Sequence, residues 1–369
     1  MSLPIRPRID GLEPYPHGGI DHLELERLGI PPESVIDFSV NSNPFGPLLA
    51  VTQALAEVSI DRYPDSEATE LRRALAAKLG VDTASILVGS GSIELLRLVA
   101  LTYLGKGDLV IIPQPTFGEY EVACRLVGAR LLKPWTEREA DFRMKTSDLV
   151  KLIKTNLPRA IFLGNPNNPT GQYLSREEVA DIVEAAAESL VVIDEAYINF
   201  VNDAWSSSGL IKKGNVVLLR SMTKDYALSG LRLGYVVAEK SIISDLRRVQ
   251  PPWSVNVVAQ KAGLLAIKED GYLENCRAKL REARSFLVTE LVSLGLSPLP
   301  SQANFFLVEV GNAKQFRQTL LERRILVRDC ASFGLPEYIR LAVRTLPECQ
   351  QLITAIKESG VLDRCRLKC

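Results

Sequence analysis

Short, almost continuously apolar segments recur along the first 220 residues of this 369-residue chain. Such segments are typical of strands that are buried on both faces of a parallel sheet. Longer amphipathic stretches separate them, and one of these follows a capping-box pattern formed by Ser175 and Glu178. Strands that alternate with helices predict an α/β fold with a mostly parallel central sheet flanked by helices. The predicted strands are residues 85–89, 109–112, 160–163, 190–193 and 216–219.

The pattern changes after about residue 240. Long helical periods at 239–249, 255–268 and 271–294 are followed by short strand patterns at 305–310, 325–328 and 339–343. This second pattern predicts a smaller C-terminal α/β domain, and the Pro-rich first forty residues predict an arm. We therefore expect an arm at 1–45 that packs on the small domain and the active site, a large domain at 46–250 and a small domain at 251–369.

The amino-acid composition argues against several classes of function. The 44 Lys and Arg balance the 44 Asp and Glu, and a net charge of zero argues against a nucleic-acid partner. His17 and His22 are the only histidines and the cysteines are scattered, so we expect no metal centre. Cys365 and Cys369 at the tail could bind a metal or form a disulfide, but reduced thiols are the simpler expectation.

With neither a signal-peptide pattern nor an apolar run long enough for a membrane span, we expect a cytoplasmic protein.

The most informative segment surrounds Lys224. It follows the strand predicted at 216–219, and Ser221 stands three residues before it and Arg232 eight residues after it. A lysine amine can form a Schiff base with an aldehyde, while a hydroxyl and an arginine can hold a phosphate on the same ligand. The Ser-x-x-Lys spacing also occurs in serine-nucleophile hydrolases, but the SDN and KTG motifs of those enzymes are missing from this sequence.

Two further polar segments follow buried strands. Asp194 and Tyr197 follow the strand at 190–193, and Asn168 lies in a turn with two Asn-Pro units after the strand at 160–163. Ligands of open α/β sheets bind at the carboxyl ends of the strands. A buried carboxylate needs a cationic partner, and a protonated pyridine nitrogen would be one. Asn168 can donate an amide hydrogen to an oxygen of the same ligand.

A loop of small residues at 89–92 leads directly into a predicted helix. Gly91 and Ser92 would therefore present backbone N–H groups and the positive end of the helix dipole to an anion. Neither GxGxxG nor GxxxxGK[ST] is present, so the loop fits a phosphate monoester better than a dinucleotide or a nucleoside triphosphate.

Together these segments resemble the fold-type-I pyridoxal-phosphate enzymes of the aspartate aminotransferase superfamily, over nearly the whole chain. The resemblance implies that fold, pyridoxal 5'-phosphate as the cofactor and a large domain that binds it. Lys224 would be the Schiff-base lysine, and Asp194 would pair with the pyridine nitrogen. Phe117 would stack on the ring, and Asn168 and Tyr197 would bind its phenolic oxygen. The residues implied to hold the cofactor phosphate are Gly91, Ser92, Ser221 and Arg232.

The resemblance also implies a homodimer, since Tyr63 matches a tyrosine that reaches the cofactor phosphate of the partner subunit. Arg340 matches the arginine that binds the α-carboxylate of the substrate. A phosphorylated amino-acid substrate would require further polar and cationic groups, because each phosphate carries a charge of about −1.5 to −2. The candidates for this role are Asn43, His17, Arg328 and Arg344.

Two branches of the superfamily are most similar: L-threonine-O-3-phosphate decarboxylase and histidinol-phosphate aminotransferase. The segments at 17–19, 36–47, 219–224, 252–256, 327–330 and 339–345 favour the decarboxylase, a lyase of cobalamin synthesis that forms (R)-1-amino-2-propanol phosphate. The aminotransferase, working with 2-oxoglutarate and glutamate, is the alternative. The reaction depends on which Cα bond lies perpendicular to the cofactor ring, and the sequence does not specify that geometry. A non-catalytic regulator on this fold would usually carry a DNA-binding module, which the sequence lacks.

Overall fold

The computed structural model describes residue 12 and residues 14–362. The predicted tail pair, Cys365 and Cys369, lies outside the described residues. The helices are α1 (His22–Leu28), α2 (Leu49–Leu55), α3 (Thr69–Leu79), α4 (Gly91–Tyr103), α5 (Glu119–Leu126), α6 (Thr146–Asn156), α7 (Arg176–Ala185), α8 (Lys240–Val249), α9 (Val257–Lys268), α10 (Asp270–Ser293), α11 (Ala313–Leu321) and α12 (Leu346–Ser359). The strands are β1 (Ile36–Asp37), β2 (Ile86–Gly89), β3 (Leu109–Ile111), β4 (Arg130–Leu132), β5 (Ala160–Gly164), β6 (Leu190–Asp194), β7 (Val216–Ser221), β8 (Gly234–Ala238), β9 (Phe305–Glu309), β10 (Ile325–Leu326), β11 (Arg328–Asp329) and β12 (Tyr338–Ala342).

A seven-stranded sheet with the order β2-β8-β7-β6-β5-β3-β4 is the centre of the fold. Neighbouring strands from β7 to β4 are parallel, and β8 runs antiparallel to both β2 and β7. The predicted α/β fold with a mostly parallel sheet is therefore confirmed. Strand β8 was not predicted, because its sequence was interpreted only as the continuation of a ligand-binding motif.

Helices cover both faces of this sheet and form two buried cores. One core contains Val191 and Leu218 together with α3, α7 and α9, and the other contains Val192 and Leu219 together with α4 and α8. This alternation follows from the pleat, which sends successive side chains to opposite faces. Helix α9 packs on α2 and α3, so the core of the large sheet extends past residue 250. The domain limits given above remain a prediction.

A second, three-stranded antiparallel sheet with the order β11-β12-β9 lies in the C-terminal part. Helices α10, α11 and α12 contribute to its buried core, which includes Phe305 and Phe316. Strand β1 of the N-terminal segment pairs in parallel with β10, with Ile36 opposite Ile325. Residues 36 and 37 are thereby held against the C-terminal part of the chain.

Local signals fix several of these elements. Helix α7 begins with the predicted capping box, in which the Ser175 hydroxyl accepts from the Glu178 N–H and the Glu178 carboxylate accepts from the Ser175 N–H. Helix α12 has the same arrangement at Thr345 and Glu348. Among the described residues, no helix is both long and apolar enough to cross a membrane.

Candidate active site

A cavity of about 220 Å³ lies where the parallel strands of the large sheet end, between that sheet and the C-terminal part. Asp194 is the last residue of β6, Asn168 follows β5 and Lys224 follows β7. The sheet topology therefore brings together three side chains that lie far apart in the sequence. This agrees with the expectation that ligands bind at the carboxyl ends of the parallel strands. Predicted residues that line this cavity are His17, Ser92, Phe117, Asn168, Asp194, Tyr197, Ser221, Lys224, Arg232, Arg328 and Arg340.

The Asp194 carboxyl group is buried beneath the cavity. Its Oδ2 accepts a hydrogen bond from the Tyr120 hydroxyl at 2.9 Å, and its Oδ1 accepts from the Ala196 N–H at 3.0 Å. Burial raises its pKa to about 6, although both hydrogen bonds act in the opposite direction. No Lys or Arg nitrogen of the described residues lies within ion-pair distance of this group. A protonated pyridine nitrogen would supply the missing cation.

The Lys224 amine faces the same cavity. Burial, together with the nearby Arg340 and Arg232 guanidinium groups, lowers its pKa to about 8, whereas Asp194 opposes the shift. An amine with such a pKa is unprotonated in part of the molecules at neutral pH and can attack an aldehyde. The Asn43 N–H donates to the Lys224 carbonyl at 2.8 Å and fixes the backbone of this loop.

Hydroxyl groups, a guanidinium group and a helix start form an anion cradle beside Lys224. Ser221 and Thr223 are buried with their hydroxyl oxygens 2.7 Å apart, and helix α4 begins at Gly91. Gly91 has a φ of +80°, and a Cβ there would lie 2.6 Å from a guanidinium nitrogen of Arg232. The glycine thus permits the close approach of that cation. The donor set suits a phosphate monoester.

Arg340 and Arg328 provide a second cationic region of the cavity. Arg340 is buried on β12, where it donates to the Asn168 side-chain oxygen and, at 2.6 Å, to the Ser39 carbonyl. Its Nε has no hydrogen-bond partner. Neither arginine has a carboxylate partner among the described residues, and burial, together with the charge of Arg340, lowers the pKa of Arg328. Two cations without an acidic partner therefore face one small space, which suits an anionic substrate group.

Arg328 also fastens the N-terminal segment over the cavity. It donates to the carbonyls of Pro16 and His17 at 2.5 and 3.1 Å and to the Ser332 hydroxyl at 2.7 Å. The His17 ring contacts the Glu119 carboxylate, with 3.1 Å between Nε2 and Oε1. This hydrogen bond is the main cause of the lowered pKa of the Glu119 carboxyl group.

The structure places three of the predicted site residues away from the cavity. Arg344 donates to the Asp37 carbonyl and pairs with Glu348 at 2.7 Å, so it stabilises the start of α12, and its role as a substrate ligand stays a prediction. Asn43 donates to the Asp225 carbonyl at 2.8 Å and to the Tyr272 hydroxyl at 3.1 Å, which makes it a packing contact. Tyr63 is 79% exposed and stacks on Trp253.

Several residues of the site were missed in the sequence. Tyr120 lies three residues after Phe117 at the start of α5, and their rings meet edge to face with centroids 5.6 Å apart, so this short spacing could have identified it. Thr223 directly precedes Lys224 and could have been included as a second hydroxyl. Tyr15, Ser39 and Asn41 also line the cavity, but no local pattern marks them, since their position depends on the packing of the N-terminal segment.

A buried unpaired carboxylate, a partly neutral amine and an anion cradle on this fold define a pyridoxal-phosphate-dependent enzyme of fold type I. Residues 33–356 match the family model described as "Aminotransferase class I and II", and the chain belongs to that family. The cofactor, as predicted, is pyridoxal 5'-phosphate.

Individual relatives agree with this assignment. A histidinol-phosphate aminotransferase from Moorella thermoacetica is 36% identical over 96% of this chain and 92% of its own length. The crystal structure of the histidinol-phosphate aminotransferase from Clostridium acetobutylicum has a TM-score of 0.81 at 26% identity and covers 89% of this chain and 99% of that one. The L-threonine-O-3-phosphate decarboxylase structure from Porphyromonas gingivalis has a TM-score of 0.77 at 27% identity and covers 87% of this chain and 98% of that one.

The prediction of a threonine-phosphate decarboxylase is wrong. Curated relatives that are 32–36% identical to this chain carry the name histidinol-phosphate aminotransferase. The segments that favoured the decarboxylase describe the cofactor cavity and the N-terminal segment, such as residues 17–19 and 219–224. Both branches need these parts, so similarity there does not report the reaction type.

Proposed function

We propose that this protein is an aminotransferase that transfers the amino group of histidinol phosphate to 2-oxoglutarate. The observation that carries the proposal is the pair Arg328 and Arg340, which line the cofactor cavity together and have no acidic partner in the described ranges of the chain. The names of the relatives supply the specific substrate. We infer in addition that the predicted cofactor contacts act as the resemblance implies.

The chemistry of the substrates fits this pair of arginines. Histidinol phosphate carries a phosphate ester and no carboxylate, whereas glutamate carries two carboxylates and no phosphate. Both compounds must bind in turn at one amino-group site. Guanidinium groups pair with phosphate and with carboxylate in the same bidentate manner. Arg328 and Arg340 would therefore bind the phosphate in one half-reaction and carboxylate in the other.

The protein's own groups supply the proton chemistry. Pyridoxal phosphate provides an electron sink for the bond that breaks at the substrate Cα. The ionised Asp194 would keep a proton on the ring nitrogen, and the Tyr120 hydroxyl and Ala196 N–H orient that carboxylate. The unprotonated Lys224 Nζ would take the Cα proton of the substrate. Its lowered pKa suits this exchange near neutral pH.

We infer that the enzyme acts as a homodimer with shared active sites. Tyr63 and Trp253 form an exposed aromatic stack with ring centroids 4.5 Å apart, and Ile60 nearby in sequence is 81% exposed. Exposed aromatic and aliphatic side chains in one region are typical of a protein–protein interface. Tyr63 would then reach the cofactor phosphate of the second copy.

The test is substrate conversion by the purified holoenzyme. Incubation with histidinol phosphate and 2-oxoglutarate should yield glutamate, and omission of either compound should abolish it. Arg328→Gln should raise the KM for histidinol phosphate about 10-fold or more, since a charge-assisted hydrogen bond contributes about 1.5–3 kcal/mol. Arg176→Gln, at an exposed arginine on α7, is the matched control and should leave the KM unchanged. Release of CO₂ from threonine phosphate without an oxo acid, in place of glutamate formation, would overturn the proposal.

A further inference from the structure

Helix α10 carries three arginines on one face, outside the cofactor cavity. Arg277, Arg281 and Arg284 are spaced i, i+4 and i+7, so their side chains lie along one stripe of the helix. With a rise of about 1.5 Å per residue, the stripe is about 10 Å long. We refer to these three residues as the α10 arginine stripe.

The stripe faces a groove made of two adjoining cavities, of about 820 and 320 Å³. Arg277, Arg281 and Asn202 line both cavities, and Arg284 lines the smaller one. The loop after β6, including Asn199 and Asn202, forms the opposite wall of the larger cavity. A groove of this size holds a small organic molecule.

The described part of the chain provides no carboxylate that neutralises the stripe. Among the described residues, none of the three guanidinium groups forms an ion pair with a carboxylate. Arg277 donates to the Asn199 carbonyl at 3.1 Å, Arg281 to the Asn202 side-chain oxygen at 3.1 Å, and Arg284 to the Ala303 and Ser301 carbonyls. Each guanidinium has five N–H donors, so most of the donors of Arg277 and Arg281 remain available.

Other charged groups leave the groove cationic. Asp203 and Glu274 add two negative charges to the larger cavity. Buried Arg220 also lines it, but Glu195 neutralises that residue at 2.8 Å. The three arginines against these two acids leave an excess of one positive charge. Arginines are well suited to bind phosphate in this setting because their planar fork can donate two parallel hydrogen bonds.

A buried acceptor in the same groove points to a ligand that is more than a bare anion. Asn304 is 4% exposed and lines the smaller cavity, and its Oδ1 has no hydrogen-bond partner. An unsatisfied buried acceptor is costly, so a hydroxyl or N–H group of the ligand would be stabilised there. The Asn304 Nδ2 donates at 3.0 Å to the carbonyl of Asn41, which lines the cofactor cavity. One side chain thus joins the groove to the active site.

We propose that the groove between α10 and the loop after β6 is a binding site for a small organic polyphosphate, whose phosphates pair with the α10 arginine stripe and whose hydroxyl or N–H group donates to Asn304. This site is separate from the cofactor cavity and does not depend on the proposed transamination.

The test is calorimetric titration of the holoenzyme with ATP, which carries three phosphates and ribose hydroxyls, and with inorganic tripolyphosphate. ATP should bind with a stoichiometry of one per chain and more tightly than tripolyphosphate, which lacks the hydroxyl and N–H donors. Arg281→Gln should weaken ATP binding about 10-fold or more, because it removes a charge-assisted hydrogen bond to phosphate. The Arg281 side chain is exposed and donates to Asn202, so the substitution should leave the fold intact.

Two further variants serve as controls for the ATP titration. Arg176→Gln removes an exposed arginine on α7 and should leave the affinity for ATP unchanged. Arg281→Lys keeps the charge without the fork and should give an intermediate affinity. The proposal is refuted if neither compound binds at millimolar concentration, if Arg176→Gln weakens binding as much as Arg281→Gln, or if tripolyphosphate binds as tightly as ATP. Because the titration records binding alone, failure of the proposed aminotransferase activity does not affect it.

Discussion

Replacing Asp194 with asparagine should stabilise the cofactor-free protein while it weakens cofactor binding. Asparagine has nearly the same shape, and its oxygen can accept from the Ala196 N–H while its amide faces the Tyr120 hydroxyl, which can accept. The substitution therefore removes a buried negative charge and leaves both polar contacts in place. Removing that charge also removes the partner of the protonated pyridine nitrogen.

The size of the effect follows from the pKa of the carboxyl group, which burial raises from 3.8 to about 6. Because this pKa is higher in the folded state, the folded protein binds more protons than the unfolded chain between pH 4 and pH 6. Stability therefore falls as the pH rises through this range and stays low above it. A difference of about two pH units corresponds to about 3 kcal/mol. Asp194→Asn should recover up to that amount at pH 7.5 and almost nothing at pH 4.

The assay is urea unfolding of the cofactor-free protein at pH values from 4 to 8, for the wild type and for Asp194→Asn. The free energy of unfolding of the variant should exceed that of the wild type by an amount that grows from about pH 4 and levels off above about pH 6. Titration with pyridoxal phosphate should show a weaker affinity of the variant. A variant that is equally or less stable at pH 7.5, or equally stabilised at pH 4, would refute the reasoning about the buried charge.

Four further predictions concern the same region. Asp225→Asn should show the same pH-dependent gain in stability, since burial raises the pKa of Asp225 to about 6, but its cofactor affinity should not change because Asp225 does not line the cavity. The rate at which the cofactor-free enzyme takes up pyridoxal phosphate, followed by its visible absorption band, should rise with a midpoint near pH 8, and Arg340→Gln should move that midpoint upward by removing a repelling charge. Lys224→Ala should lose the band altogether. Tyr63→Phe should weaken cofactor binding in the dimer, measured by equilibrium dialysis, and an unchanged affinity would argue against its role across the interface.

The large sheet and the cofactor side of the site could be predicted from the sequence because their signals are local. Strands β5, β6 and β7 are continuous apolar runs, and each ends next to a residue with obvious chemistry, such as Asp194. The residue types that bind a phosphate and an aldehyde are few. Their spacing after buried strands was therefore sufficient to place them at one edge of the sheet.

The substrate side could not be predicted in the same way because it is formed by tertiary packing. Arg328 ends one C-terminal strand pattern and Arg344 follows another, and only the structure shows that Arg328 lines the cavity while Arg344 pairs with Glu348. Tyr15 and Asn41 come close to the cofactor site through the pairing of β1 with β10, which has no local sequence signal. The reaction type was misjudged for a related reason, since it depends on small differences in substrate orientation.

The pairing of β1 with β10 also has a consequence for biosynthesis. Ile36 and its partner Ile325 are 289 positions apart, so the first strand leaves the ribosome long before the second one exists. At about 5–20 residues per second, the delay is roughly 15–60 s. The N-terminal segment, with the residues that cover the active site, must wait unpaired during that time. The entrance of the active site is therefore completed only near the end of synthesis, after the strands of the large sheet have already been made.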